Sequence, residues 1–156
     1  AFEPSTVVAP ILRQTADLNN FEYIPEGLSD VISKHKLNLS FPGGDFIDRR
    51  ETRHFEGDEI KGVTDCVCNT IDHFSEERNM HIDFIKADIE GFERFMLRGA
   101  EKVLREQEPK LAIRLYHNNH EDKKVLPKLI KEINPRYKLR YGFRGLTVYA
   151  STERGI

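Results

Sequence analysis

The chain has 156 residues, 38% of them hydrophobic and 32% charged, which fits a single domain able to bury a core. Its 24 Lys and Arg nearly balance 26 Asp and Glu, for a formal net charge of −2, which argues against the basic excess of a dedicated nucleic-acid binder. No apolar run approaches the roughly 20 residues of a membrane-spanning helix, so neither nucleic acid nor membrane is expected as a partner.

Ala1-Phe2-Glu3 reads as the end of a strand. The chain opens without Met, so its natural N-terminus is expected upstream, and no signal peptide is read in it. Ser5 is an N-cap candidate for a helix over Thr6 to Asn19, where Val7, Val8, Ile11, Leu12 and Leu18 have helical spacing. Phe21 to Pro25 reads as a short strand and Glu26 to Asp30 as a loop. Leu37, Leu39 and Phe41 alternate with polar residues, as in an amphipathic strand, and Pro42-Gly43-Gly44-Asp45 is turn chemistry. The charged stretch from Asp48 to Lys61 reads as a solvated excursion; its Arg49, Arg50 and Arg53 either meet an anionic acceptor or form an ordinary solvated cluster. Gly62 to Cys68 is a strand candidate, and Thr70 to Phe74 starts a short helix. Cys66 and Cys68 are too few and too close for a disulfide framework or a zinc site, and read as reduced thiols of a cytoplasmic protein.

Ile82 to Asp88 is a mostly apolar strand that ends in a carboxylate. Ile89-Glu90-Gly91 is a tight turn. Glu93 to Glu106 reads as one helix, with Phe95, Met96, Leu97, Ala100, Val103 and Leu104 on its apolar face. Leu111 to Tyr116 is a further strand, followed by His117-Asn118-Asn119-His120. Asp122 to Ile133 is a helix with Pro127 in its early turns. Tyr137 to Phe143 and Leu146 to Ala150 form a hairpin around Arg144-Gly145. This alternation predicts an α/β fold with a mainly parallel sheet covered by helices and a C-terminal antiparallel hairpin. Ligands of such sheets bind outside the carboxyl ends of the strands.

The residues at those ends are therefore the candidates. By position alone, Glu3 either accepts hydrogen bonds from ribose hydroxyls or is an ordinary helix-start acid. Asp88 and Glu90 could orient a hydroxyl, take its proton or hold a divalent cation through oxygen; Glu90 could equally do no more than stabilise a helix start. Lys86 shares a strand face with Asp88, and a buried Lys needs a partner, so a pair with Asp88 or Glu90 is expected. His117 is a candidate general base or orienting group, against the alternative of a strand-end His without a task. The spacing of His117 and His120 fits no common zinc pattern, and no metal is expected. Gly91 and Gly99 read as structural.

Asp83-Phe84-Ile85-Lys86-Ala87-Asp88-Ile89-Glu90-Gly91-Phe92-Glu93, then Leu97-Arg98-Gly99-Ala100, resembles the central strand, turn and helix of the FkbM family of methyltransferases. The family pattern there is Asp-Phe-x-Lys-x-Asp-x-Glu-Gly-x-Glu and then Leu-x-Gly-Ala. Ala1-Phe2-Glu3-Pro4 looks like the end of the family's second strand. Tyr116-His117-Asn118 with Glu121-Asp122 looks like its fifth strand and the turn after it, and Thr147-Val148-Tyr149-Ala150 like its last strand. The resemblance implies a Rossmann-like class I methyltransferase fold. Residues 1–156 would be the C-terminal three-quarters of that domain, with the first strand and the cofactor's glycine-rich loop absent from this chain. It implies S-adenosyl-L-methionine as cofactor and methyl transfer to a hydroxyl of a small molecule or sugar. Glu3 would hold the ribose, Leu28 and Ser29 the adenine, and Asp88 the junction of cofactor and acceptor. His117 or Glu90 would orient the acceptor or take its proton; methyl transfer asks for little more than alignment. The absent glycine loop supports a second reading, a non-catalytic Rossmann-like remnant that serves as a binding or scaffold domain. A third, a nucleotide-sugar or dinucleotide enzyme, is opposed by the Lys86 to Glu93 block.

Overall fold

In the computed structural model, which describes residues 1–41, 44–47, 59–118 and 121–153, the chain forms two four-stranded sheets. The first contains β1 (Gly27–Leu28), β2 (Ser33–Phe41), β3 (Phe46–Ile47) and β4 (Glu59–Asn69) in the order β1-β4-β2-β3. The second contains β5 (Phe84–Ala87), β6 (Lys110–Arg114), β7 (Lys138–Gly142) and β8 (Thr147–Ser151) in the order β5-β6-β8-β7. β1 pairs with β4 and β5 with β6 in parallel; the other pairings are antiparallel.

The sheets are thus mixed, which corrects the expectation of a mainly parallel one. The reason lies in the middle of the chain. Antiparallel strands need no helical crossover, and β4 pairs antiparallel with β2, from Ser33 opposite Cys68 to Phe41 opposite Glu59, with a bulge after Leu39. The expected C-terminal hairpin is present as β7 and β8. Gly27 and Leu28, expected in a loop, pair with Cys68 and Asn69. The strands expected at Ala1 to Glu3 and Phe21 to Pro25 meet only in a parallel bridge between Phe2 and Ile24. Of the turn expected at Pro42 to Asp45, Pro42 and Gly43 lie outside the described residues; Ser40 ties down the rest through Gly44 and Asp45.

Helix α1 (Ala9–Asn19) starts later than its periodicity suggests. Val8 holds the N-cap position without a side-chain bond. The Ser5 hydroxyl instead donates to Asp45, 2.5 Å away. Helix α2 (Ile71–Glu77) is capped by Thr70, whose hydroxyl accepts the His73 N–H. The single helix expected over Glu93 to Glu106 is two, α3 (Glu93–Arg98) and α4 (Glu101–Glu106). Gly99 separates them because it lies against the Ser29 carbonyl, where any Cβ would collide. The new N-terminus of α4 is capped from outside: Asp72 accepts the Lys102 and Val103 N–H groups at 3.0 and 2.9 Å. Helix α5 spans Asp122–Ile133 as expected.

Two apolar clusters follow. The larger packs α3, α4 and α5 on the second sheet through Met96, Leu97, Leu104, Ile113, Leu126 and Ile130. The smaller joins the first sheet to the start of α3 through Leu37, Ile47, Cys66, Cys68, Phe92 and Phe95. Ile89 packs against both, so the turn after β5 sits on the seam between them. Cys66 and Cys68 are buried and form no disulfide, and burial pushes the Cys66 thiol above its ordinary pKa. Among the described residues, no helix is long and apolar enough to cross a membrane.

Candidate active site

β5 ends at Ala87 and delivers Asp88 into the open end of the second sheet. In the next turn Glu90 and Gly91 both have left-handed backbone, with φ of 53° and 89°. That conformation costs a non-glycine residue about 1–3 kcal/mol, and it re-aims the chain so that α3 starts two residues later. At 91 a side chain would also crowd the Asn118 amide, which donates to the Gly91 carbonyl at 3.2 Å.

Glu93, in the first turn of α3, is fully buried. Its Oε1 accepts the Ile89 N–H at 2.9 Å and faces His117 Nδ1 at 3.1 Å. His117 arrives from the loop after β6 and is 2% exposed. Its Nε2 lies at ion-pair distance from two more carboxylates, 3.3 Å from Glu90 Oε2 and 3.7 Å from Asp88 Oδ1. Burial pulls the ring's pKa down, but Glu90 and Glu93 outweigh it and the pKa is pushed up to about 10. The ring is therefore an imidazolium at neutral pH. Asp88 also accepts the Tyr116 hydroxyl at 3.0 Å and lies 3.5 Å from the Arg114 guanidinium. Burial and the Asp88 charge push the Tyr116 phenol up to about 12, so it stays a donor. Behind this layer, Arg94 donates to Asp122 at 2.6 Å and Asn118 donates to the same carboxylate at 2.8 Å.

The Asp88 and Glu90 side chains border a cavity of about 580 Å³, a size that suits a small-molecule ligand. Its walls are largely apolar, with Phe46, Ile71, Phe74 and Met96 among them. Glu3 and Leu28 line it too. Burial pushes the Glu3 carboxyl above the ordinary range, against the Ser5 N–H that it accepts and with help from Asp45.

A family model described as the methyltransferase FkbM domain matches residues 1–144. The chain belongs to the FkbM methyltransferase family. The solved structure of a methyltransferase FkbM from Methylobacillus flagellatus KT shares its fold, with a TM-score of 0.58 and 24% identity, over 96% of this chain and 35% of that one. The chain thus spans about a third of the length of that protein. Among curated proteins, none matches it.

In this FkbM-family chain, the fold gathers Glu3, Leu28, Asp88 and Glu90 around one space. Ser29 and His117 do not line it. Ser29 is fully buried with its hydroxyl on Asp30, and His117 stands behind the Asp88 and Glu90 carboxylates. Lys86 lines the cavity as an exposed side chain and forms no ion pair among the described residues, contrary to the expected pairing with Asp88 or Glu90. The face of β5 that carries Phe84 and Lys86 is exposed, so the ammonium needs no partner. Arg49, Arg50, Arg53, Asn119 and His120 lie outside the described residues.

Reading the sequence missed Glu93, Arg94, Arg114, Tyr116 and Asp122. One signal was there for Glu93: an acid on the same helical stretch as Phe92, Phe95, Met96 and Leu97, which implies either exposure or a buried partner. Nothing local points to the others.

Proposed function

We propose that this FkbM-family chain is part of an S-adenosyl-L-methionine-dependent O-methyltransferase acting on a hydroxyl of a small molecule or sugar. One observation carries the reading. Among the described residues, the apolar cavity is lined by five carboxylates, Glu3, Glu26, Asp45, Asp88 and Glu90, against one cationic side chain, Lys86. Such a space fits a ligand that bears a sulfonium, an ammonium and a ribose diol.

The cofactor supplies an electrophilic methyl group. Glu3, oriented by the Ser5 N–H, accepts the ribose hydroxyls, and Leu28 offers an apolar wall to the adenine. Asp88, held by Tyr116 and flanked by Arg114, stands at the junction of cofactor and acceptor. The acceptor's proton goes to Asp88 or Glu90, because His117 already carries its second proton; His117 positions the Glu90 carboxylate. Buried thiols at Cys66 and Cys68, not joined in a disulfide, suit a reducing, cytoplasmic setting.

Calorimetric titration with S-adenosylhomocysteine tests this, on the chain and on a version extended at its N-terminus. The expected result is micromolar binding, weakened about tenfold or more by Glu3→Ala. A folded protein that binds nothing at about 1 mM in either form would leave a non-catalytic binding domain as the better account.

A further inference from the structure

We propose that Asp88, Glu90 and His117 form a site for one first-row divalent cation such as Mn²⁺, held at the Nε2 atom of His117. Three observations independent of the methyl donor carry this. First, the buried side-chain polar atoms without a hydrogen-bond partner, among the described residues, are Glu93 Oε2, Arg114 Nε and His117 Nε2. Buried polar atoms are normally satisfied. All three orphans surround Asp88, and His117 Nε2 is aimed at the carboxylates.

Second, the spacing is that of ligands. Nε2 lies 3.3 Å from Glu90 Oε2 and 3.7 Å from Asp88 Oδ1. A cation with bonds of about 2.1 Å sets neighbouring donors roughly 3 Å apart or somewhat more. The Glu93 carboxylate on Nδ1, 3.1 Å away, fixes the ring so that Nε2 faces the site, as carboxylates do behind metal-bound imidazoles.

Third, the charge calls for a cation. Glu90 is half-buried and Glu93 fully buried, and one guanidinium, that of Arg114, lies at ion-pair distance from Asp88; buried charges are paired or coordinate metals. On binding, the Nε2 proton leaves to solvent. The mixed imidazole and carboxylate donors favour Mn²⁺ or Zn²⁺ over Mg²⁺. The Asp88 and Glu90 side chains are 28% and 32% exposed, so the site opens on the cavity and would bring a Lewis acid to its edge. Spacing along the chain hides the pattern, because the donors come from the ends of two strands and the turn between them and α3.

The test titrates the metal-stripped chain with MnCl₂, with no methyl donor present, so its outcome is independent of the function proposed above. We expect one Mn²⁺ per chain, nitrogen coupling to the bound ion in pulsed EPR, and binding weakened about tenfold or more by Asp88→Asn. His117→Gln should abolish the nitrogen coupling. Should that variant fail to fold, the coupling in the unaltered chain and the Asp88→Asn titration still decide. No uptake by the folded chain at about 1 mM would overturn the proposal. So would binding that lacks nitrogen coupling and is unchanged in Asp88→Asn.

Discussion

Arg94 and Asp122 show what a residue's neighbours make of it. Arg94 is 8% exposed and Asp122 fully buried, yet the pair closes at 2.6 Å and Asn118 satisfies the second carboxylate oxygen. Burial pushes the Asp122 pKa up, while Arg94 and Asn118 hold it down. Removing one partner of such a pair leaves an uncompensated buried charge. Arg94→Met is therefore expected to destabilise the chain by about 3–5 kcal/mol in urea unfolding. Lys36→Met, which breaks the exposed pair with Asp65, should change little. Equal effects of the two would show that Arg94 is not held as described. At this scale the placement of Asp88, Glu90 and His117 after strands was legible in the sequence, since each follows a strand of clear apolar content. Glu93 and Arg94 were not. They sit at neighbouring positions in a helix, and only the return of the chain at His117 and Asp122 tells which charges are buried together.

Among the elements, the break between α3 and α4 separates local from tertiary information. The apolar periodicity from Phe95 to Leu104 favours one continuous helix, and a glycine inside such a pattern costs it only about 1 kcal/mol. What ends α3 is the Ser29 carbonyl against Gly99, and what starts α4 is Asp72 on its free N–H groups. By helix propensity alone Gly99→Ala would stabilise the chain. With the carbonyl in the way, it is expected to destabilise by about 1–3 kcal/mol, the usual range for overpacking. At Gly62 the nearest atom to an added Cβ is a Leu39 methyl at 3.6 Å, ordinary contact, so Gly62→Ala should be close to neutral. A stabilised Gly99→Ala chain would mean that the two helices can merge. β2 and β4 carry the same lesson. Their alternation announces strands, but whether they cross over or double back is set by pairing partners far along the chain.

For the molecule as a whole, Tyr137 ties the C-terminal hairpin to the start of β6. It is fully buried, and its hydroxyl donates to the Pro109 carbonyl at 2.8 Å. Burial, and then the Glu108 charge, hold its phenol above the ordinary value of about 10. The folded state thus favours the neutral phenol. Its contribution is fully present below about pH 10 and is lost as pH rises towards the folded pKa. Stability should fall steeply from about pH 10 upwards. Tyr137→Phe should blunt that fall while costing about 1–2 kcal/mol at neutral pH through the unpaired carbonyl. Urea unfolding of both proteins on either side of that pH checks it, and an unchanged alkaline slope would assign the fall to another group. The α/β class, the strands that end before Asp88 and His117, the C-terminal hairpin and the FkbM-type block were determined by the sequence alone, because periodicity and turn chemistry act over a few residues. The mixed pairing of the sheets, the split helix, the buried Glu93 and His117 contact and the acidic cavity that joins Glu3 to Asp88 were decided only by tertiary structure. Each depends on segments apart in the sequence being brought within a few ångströms, where burial and Coulomb forces are strong enough to choose among the local alternatives.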